Sequence, residues 1–211
     1  MGRPSWNLSE LLKRTISIIF IIPIVLLFVY LKGSFFVAII IIAAVLMAFE
    51  WQNITASAKS NCKWQLLGVA YIAIPSISLF YLINFPEGEK IIYFLFVVVW
   101  CTDIGGYLFG KTIGGRKLAP SISPNKTWAG FFGGIFLAII AGYYFEVLSV
   151  SYVVIISIAA QLGDLLESKI KRIYEFKDSG NLIPGHGGML DAVDGLVIAA
   201  PILLLIISLK L

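Results

Sequence analysis

Charge-free apolar runs alternate with short polar segments along the whole chain. Thr15–Leu31 and Phe35–Ala48 contain no charged residue, and further apolar runs recur to the C-terminus. A helix needs about 20 apolar residues to cross the hydrocarbon, with a range of roughly 17–25. Several runs sit at the short end, which predicts spans that tilt little or take in flanking residues. The pattern predicts an all-α, polytopic transmembrane helical bundle of about seven spans. They fall near 15–31, 35–50, 66–83, 91–110, 128–145, 150–166 and 191–209. Lys13 and Arg14 precede the first run, as in a signal peptide, but no small-residue cleavage site follows and more apolar runs come at once. An anchor is therefore expected.

The polar segments set the orientation. With the N-terminus cytoplasmic, the inner segments carry Arg3, Lys13, Arg14, Lys59, Lys63, Lys111, Arg116, Lys117, Lys126, Lys169, Lys171, Arg172 and Lys177. The outer ones carry only Lys32, Lys90 and Lys210. Cytoplasmic loops hold the excess of Lys and Arg in membrane proteins, so function is expected on the inner face. The organisation expected is a set of N-terminal spans (1–90) followed by a catalytic transmembrane region (91–211) with cytoplasmic loops 111–127 and 167–190.

Composition strengthens this picture: 59% of residues are hydrophobic and 13% charged, about half the charged share of a soluble domain. The net charge of +4 is accounted for by the inner surface lying against anionic lipid, with no nucleic-acid partner required. Cys62 and Cys101 are not spaced as a metal or redox pair. Gly106/Gly110 and Gly130/Gly134 place small residues four apart, which lets helix backbones approach closely; packing is the expected role of Gly130, Gly133 and Gly134.

Carboxylates at the ends of apolar spans are costly and need a reason. Asp103, Asp164, Asp191 and Asp194 all lie toward the cytoplasmic ends of their spans. Glu50, beside Trp51, is expected to snorkel to the interface. If the sixth span continues as a helix, Asp164, Ser168, Lys171 and Glu175 fall on one face. Arg172, Lys177 and Asp178 follow, and the chain then bends at Pro184-Gly185-His186-Gly187-Gly188 before Asp191 and Asp194. A glycine-rich bend allows backbone N–H groups to approach a phosphate. Carboxylates supply the hard oxygens that Mg²⁺ takes alongside substrate phosphates. Each part has a plainer role: Lys171 and Arg172 as a juxtamembrane basic pair, His186 as turn filler, Asp191 and Asp194 as helix caps. Their concentration within Asp164–Asp194 favours a phosphoryl-transfer site. A second polar stretch, Asp103 to Trp128, adds Lys111, Arg116, Lys117 and Lys126 with several hydroxyls, and lacks the Walker spacing. It suits a polyanionic substrate.

Ser168-x-Ile170-Lys171-Arg172-x₄-Lys177-Asp178-x-Gly180-x₂-Ile183-Pro184-x-His186-Gly187-Gly188-x₂-Asp191-x-x-Asp194 resembles the C-terminal signature of phosphatidate cytidylyltransferases (CDP-diacylglycerol synthases). Asp103…Tyr107…Gly110-Lys111…Gly115-Arg116…Ser123-Pro124-Asn125-Lys126-Thr127-Trp128 resembles that family's second block, and the likeness covers roughly residues 95–200. Ala129 and Ala192 stand where the family usually has an acidic residue and an Arg.

The resemblance implies the reaction CTP + phosphatidate → CDP-diacylglycerol + pyrophosphate, in membrane phospholipid biosynthesis. It implies Mg²⁺ on Asp164 and Asp191, with Asp194 a further candidate ligand, and leaves room for a second cation such as K⁺. Catalytic roles fall to Asp164, Lys171, Asp191 and His186. Substrate contacts fall to Ser123, Lys126, Ser168, Arg172, Lys177, Gly187 and Gly188. The partners implied are CTP, phosphatidate and the lipid bilayer; a homodimer is compatible with the sequence. The setting implied is a bacterial-type cytoplasmic membrane with the active site facing the cytoplasm. Two rivals are weaker. A CTP-dependent lipid kinase does not account for the full His186…Asp194 signature. A transporter would be expected to show inverted repeats or paired broken spans, and the sequence has neither. CDP-alcohol phosphotransferases are set aside because their Asp-Gly-x₂-Ala-Arg motif is missing.

Overall fold

A computed structural model describes residues 8–56, 62–145, 147–183 and 187–209, with side chains from Phe20 onward. The described residues form seven helices: α1 (Leu8–Leu31), α2 (Gly33–Thr55), α3 (Cys62–Ile83), α4 (Gly88–Thr112), α5 (Trp128–Tyr143), α6 (Val150–Ile173) and α7 (Met189–Ser208). Five of them (α2, α3, α4, α6 and α7) are long and apolar enough to cross a membrane. The described apolar stretch of α1, Phe20–Leu31, is shorter. So is α5, whose 16 residues rise about 24 Å at 1.5 Å each. The outside of the bundle is apolar, with Phe20, Ile24, Leu66, Val69, Phe132 and Phe136 exposed. Such a surface suits lipid and marks an integral membrane architecture.

Departures from the expected elements have local causes. Polar ends carry helices past the apolar runs, so α2 reaches Thr55 and α6 reaches Ile173. Glu175 lies beyond the end of α6 with φ near +65°, so it does not share the face of Asp164, Ser168 and Lys171. The segment expected as a loop after α4 is a hairpin, β1 (Lys117–Ala119) and β2 (Ser123–Thr127), with Lys117 opposite Thr127 and Ala119 opposite Ser123. The bundle is therefore not purely helical. Thr127 ends the hairpin and caps α5, its hydroxyl accepting the Gly130 N–H at 3.1 Å.

Two glycine contacts decide where the functional ends meet. Along α4 and α5, a Cβ on Gly130 would stand 2.6 Å from the Gly106 carbonyl oxygen, and one on Gly134 would stand 2.7 Å from that of Thr102. The packing role expected for these glycines is what the structure shows. Between α6 and α7, a Cβ on Gly163 would overlap the Asp194 carbonyl, so the two backbones touch beside Asp164 and Asp194. One apolar cluster centres on Ile92, Leu95 and Val98 of α4, with Ile156 of α6 and Leu203 of α7. A second joins Met47, Trp51 and Ile54 of α2 to Tyr71 of α3, Ile170 and Tyr174, and Leu190 of α7. The N-terminal spans are thus packed directly onto α7.

Candidate active site

The C-terminal half of α4, the middle of α6, the N-terminal ends of α5 and α7, and the hairpin surround one cavity of about 780 Å³. Asp103 from α4, Asp164 from α6, and Asp191 and Asp194 from α7 line it, together with Ser123, Asn125 and Lys126 from β2 and Gln161 from α6. Lys126 forms an ion pair with Asp164. Ser168, one turn along α6, donates to the Asp164 carboxylate at 3.4 Å. Asp103 and Asp194 both lie within electrostatic reach of Asp164. Asp103, Asp164 and Asp194 thus share one wall, with Lys126 paired to Asp164 and Lys111 also lining the cavity. The mutual repulsion of these carboxylates in a part-desolvated space would be relieved by a cation.

The first amides of α7 are spoken for. A helix begins with N–H groups that lack intrahelical acceptors, and here side chains supply them all. Gly188 N–H donates to Asp191 Oδ2 at 2.8 Å, Met189 N–H to Glu50 Oε1 at 2.7 Å, and Leu190 N–H to Glu50 Oε2 at 2.9 Å. Asp191 N–H points to Ser179 Oγ at 3.4 Å. Asp191 Oδ2 also accepts the Ser179 N–H at 2.7 Å and lies 2.8 Å from Ser179 Oγ. Its other oxygen pairs with Lys171. Asp191 is therefore a capping residue as well as a cavity residue. Asp194 caps locally, accepting the Gly195 N–H at 2.5 Å.

Several expected roles change. Gly187 N–H donates to the Ile183 carbonyl at 3.1 Å, and the Gly188 N–H is held by Asp191. Both amides are thus engaged within the protein. What these glycines supply is room: a Cβ on Gly187 would overlap Asp191, and one on Gly188 would overlap Ser179 and Glu50. Lys171 does not line the cavity. It is buried behind Asp191, with Nζ 2.8 Å from Glu167 Oε2. Arg172 does not line the cavity; it is exposed beside the hairpin, donating to the Ile122 carbonyl at 3.4 Å and the Phe176 carbonyl at 3.2 Å. Lys177 is exposed outside the cavity. His186 lies outside the described residues. Glu50 does not snorkel: it is 7% exposed and sits at the start of α7.

Sequence reasoning gave no role to Glu50, Glu167 or Ser179. Glu50 carried one usable signal, a carboxylate ending an apolar run, which burial rather than snorkelling also explains. Asp103 was singled out but given no role, and it faces the cavity.

Among the described residues, no three His, Cys, Asp or Glu side chains converge as a closed metal cage. The donor chemistry of the cavity nevertheless fits Mg²⁺. That ion keeps several waters and takes one or two carboxylates plus substrate phosphates rather than a full protein cage. Asp164 and Asp194 offer such oxygens, while Asp191 has only part of Oδ1 uncommitted.

Residues 57–210 match the family model described as "Cytidylyltransferase family". A phosphatidate cytidylyltransferase of Rickettsia bellii is 39% identical over 219 residues, covering 96% of this chain and 93% of that protein. One from Brucella suis is 43% identical over 171 residues, covering 77% of this chain and 61% of that protein. One from Bacillus subtilis is 44% identical over 131 residues, covering 58% and 49%. The chain thus spans about the whole of the first relative and roughly half to three fifths of the other two.

Proposed function

This chain belongs to the cytidylyltransferase family, and we propose that it is a phosphatidate cytidylyltransferase forming CDP-diacylglycerol and pyrophosphate from CTP and phosphatidate. A single observation carries the proposal. The cavity that gathers Asp103, Asp164, Asp194 and Lys126 lies at the polar ends of otherwise apolar helices. A lipid phosphate and a nucleotide can meet there while the acyl tails stay in the bilayer.

A phosphate oxygen of phosphatidate attacks the α-phosphorus of CTP in line. The bond from that phosphorus to the β-bridging oxygen breaks, and pyrophosphate leaves. No protein nucleophile is required, because positioning and charge neutralisation suffice for this class of transfer. Lys126 is proposed to swing from Asp164 to a phosphate. Ser123 and Asn125 on the hairpin and Ser168 on α6 supply hydrogen bonds. Arg172, Lys177 and His186 are proposed as outer contacts for the triphosphate. Lys171 acts from behind, fixing Asp191. Asp164 and Asp194, with Asp191 Oδ1, are proposed to hold Mg²⁺, and K⁺ is the candidate second cation. When bound, Mg²⁺ would neutralise phosphate charge on the attacking and leaving sides.

The finer topology belongs to the same proposal. The chain crosses about seven times, with its N-terminus and its site on the cytoplasmic face. The basic loops after α4 and α6 support that side. The supporting structural feature is that the C-terminal half of α4 and the first turns of α5 and α7 meet at the cavity beside Gln161 and Asp164 of α6.

The test is purified protein in detergent with phosphatidate, Mg²⁺ and CTP labelled at either the α- or the γ-phosphate. Label from the α-position should enter lipid and label from the γ-position should leave as pyrophosphate. Transfer of γ-label to lipid would instead mean a kinase, and no transfer from either position would remove both enzymes.

A further inference from the structure

We infer that Glu50, on α2, which supplies no residue to the cavity wall, is the positioning residue that sets Asp191 and the start of α7. Its carboxylate accepts the Met189 and Leu190 N–H groups at 2.7 and 2.9 Å, and lies 3.1 Å from Ser179 Oγ. The same hydroxyl lies 2.8 Å from Asp191 Oδ2. A serine hydroxyl carries one proton, so it can donate to Glu50 or to Asp191 but not to both at once. The shared hydroxyl therefore ties Glu50 to Asp191, and loss of either Glu50 or Ser179 loosens the set of contacts that holds Asp191 and the first turn of α7 in place.

Space enforces the contact. Glu50 is buried, and the Gly188 Cβ position is filled by Ser179 Oγ and the Glu50 carboxylate. A Cβ on Gly180 would stand 3.0 Å from Glu50 Oε1. Glycine at 180 and at 188 leaves the space that the carboxylate occupies. An anion at this spot also meets the positive end of α7. The helix N-terminus that would otherwise attract a substrate phosphate is filled by the protein's own carboxylate, which leaves phosphate recognition to side chains rather than to the first amides of α7.

The turnover part of the test rests on the proposed cytidylyltransferase activity, and the exchange part does not. Glu50→Gln keeps the shape and removes the charge, and Ser179→Ala removes the bridging hydroxyl. Thr55→Ala serves as a control, since Thr55 is buried near the end of α2 and its hydroxyl bonds within α2 and to α3, donating to the Trp51 carbonyl at 2.7 Å and accepting from Gln65 Nε2 at 3.4 Å. Hydrogen–deuterium exchange followed by mass spectrometry should show faster exchange across 187–191 in both Glu50→Gln and Ser179→Ala, with the rest of α7 unchanged. The Mg²⁺ concentration for half-maximal turnover should rise about tenfold or more in both, the usual effect of losing a partner of a metal ligand. The double variant should be no worse than the poorer single one, because the two act along one path. Thr55→Ala should leave both readouts at native values. If exchange at 187–191 is native-like in Glu50→Gln, the inference fails whether or not the protein turns over CTP. It fails equally if the double variant is fully additive, or if Thr55→Ala matches Glu50→Gln. A native protein without turnover would remove the proposed activity and leave the exchange result to decide the role of Glu50.

Discussion

Lys171→Met tests whether the lysine next to Arg172 is a framework residue or a surface cation. Lys171 is 9% exposed, and its ammonium bridges Glu167, itself 3% exposed, and Asp191. Methionine keeps the length of the side chain and removes its charge. Glu167 is then left buried with no cation, and Asp191 keeps only its hydrogen bonds to Ser179 and Gly188. Removing one partner of a buried ion pair costs about 3–5 kcal/mol, most of it the uncompensated charge. For a chain of this size each kcal/mol moves the melting temperature by roughly 2–4 °C, so Lys171→Met should melt on the order of 10 °C below the native protein. Arg172→Met removes an exposed side chain bonded only to carbonyls and should cost about 0.5 kcal/mol. The assay is thermal unfolding in detergent followed by tryptophan fluorescence. Adding Glu167→Gln to Lys171→Met removes the stranded charge and should restore at least half of the lost stability. The reasoning is refuted if Lys171→Met melts with the native protein, or if Glu167→Gln lowers the double variant further instead of rescuing it.

Asp164→Asn removes a charge from the cavity without changing size, so most turnover should vanish while the melting temperature stays near native; near-normal activity would make Asp164 structural. Gly134→Leu drives a side chain into the α4 backbone at Thr102 and should lower the yield of folded protein in detergent, whereas Gly115→Ala, which meets open space at φ near +91°, should cost only about 1–2 kcal/mol of backbone strain. Ala192 is exposed at the start of α7, so Ala192→Arg should change turnover within about tenfold, equivalent to about 1.4 kcal/mol, and an increase of several orders of magnitude would mark the native chain as an inactive relative. Reporters fused after Lys117 and after Leu211 should report cytoplasmic and external positions; the same side for both would remove the odd number of crossings.

What the sequence made legible is what depends on short spacings. The apolar runs located the helices, and the four-residue glycine spacings located the tight α4–α5 contact, because both periodicities are properties of one helix. Asp164, Asp191 and Asp194 were found because a carboxylate at the end of an apolar run is costly enough to demand a reason. The hairpin escapes a reading of the sequence for a physical cause: its strands are three and five residues long, the second is polar, and they are flanked or interrupted by Pro120 and Pro124, so they carry no alternation to read. Lys171 and Arg172 looked like one basic pair, yet adjacent helix residues point about 100° apart, which buries one and exposes the other. Glu50 was the least legible. Its partners lie far along the chain at Ser179, Met189 and Leu190, and no local pattern encodes a contact across that distance.

Counting acceptors separates the carboxylates into two sets that sequence position does not separate. Glu50, Glu167 and Asp191 face partners inside the protein: amides of α7, Ser179 and Lys171. Asp103, Asp164 and Asp194 face the cavity, where the described partners are Lys126 and Ser168 on Asp164 and the adjacent amide on Asp194. A hard cation competes poorly for a carboxylate already bonded to several N–H groups and an ammonium, because each bond must be given up for the metal–oxygen bond formed. It competes well for carboxylates that repel one another. The weight of any metal site thus moves from the pair Asp164 and Asp191 toward Asp164 and Asp194, which the Gly163 contact holds side by side. Asp191, with only part of Oδ1 uncommitted, is the lesser ligand of that proposed site, and by sharing Ser179 with Glu50 it connects the α2 end of the bundle to the cavity wall.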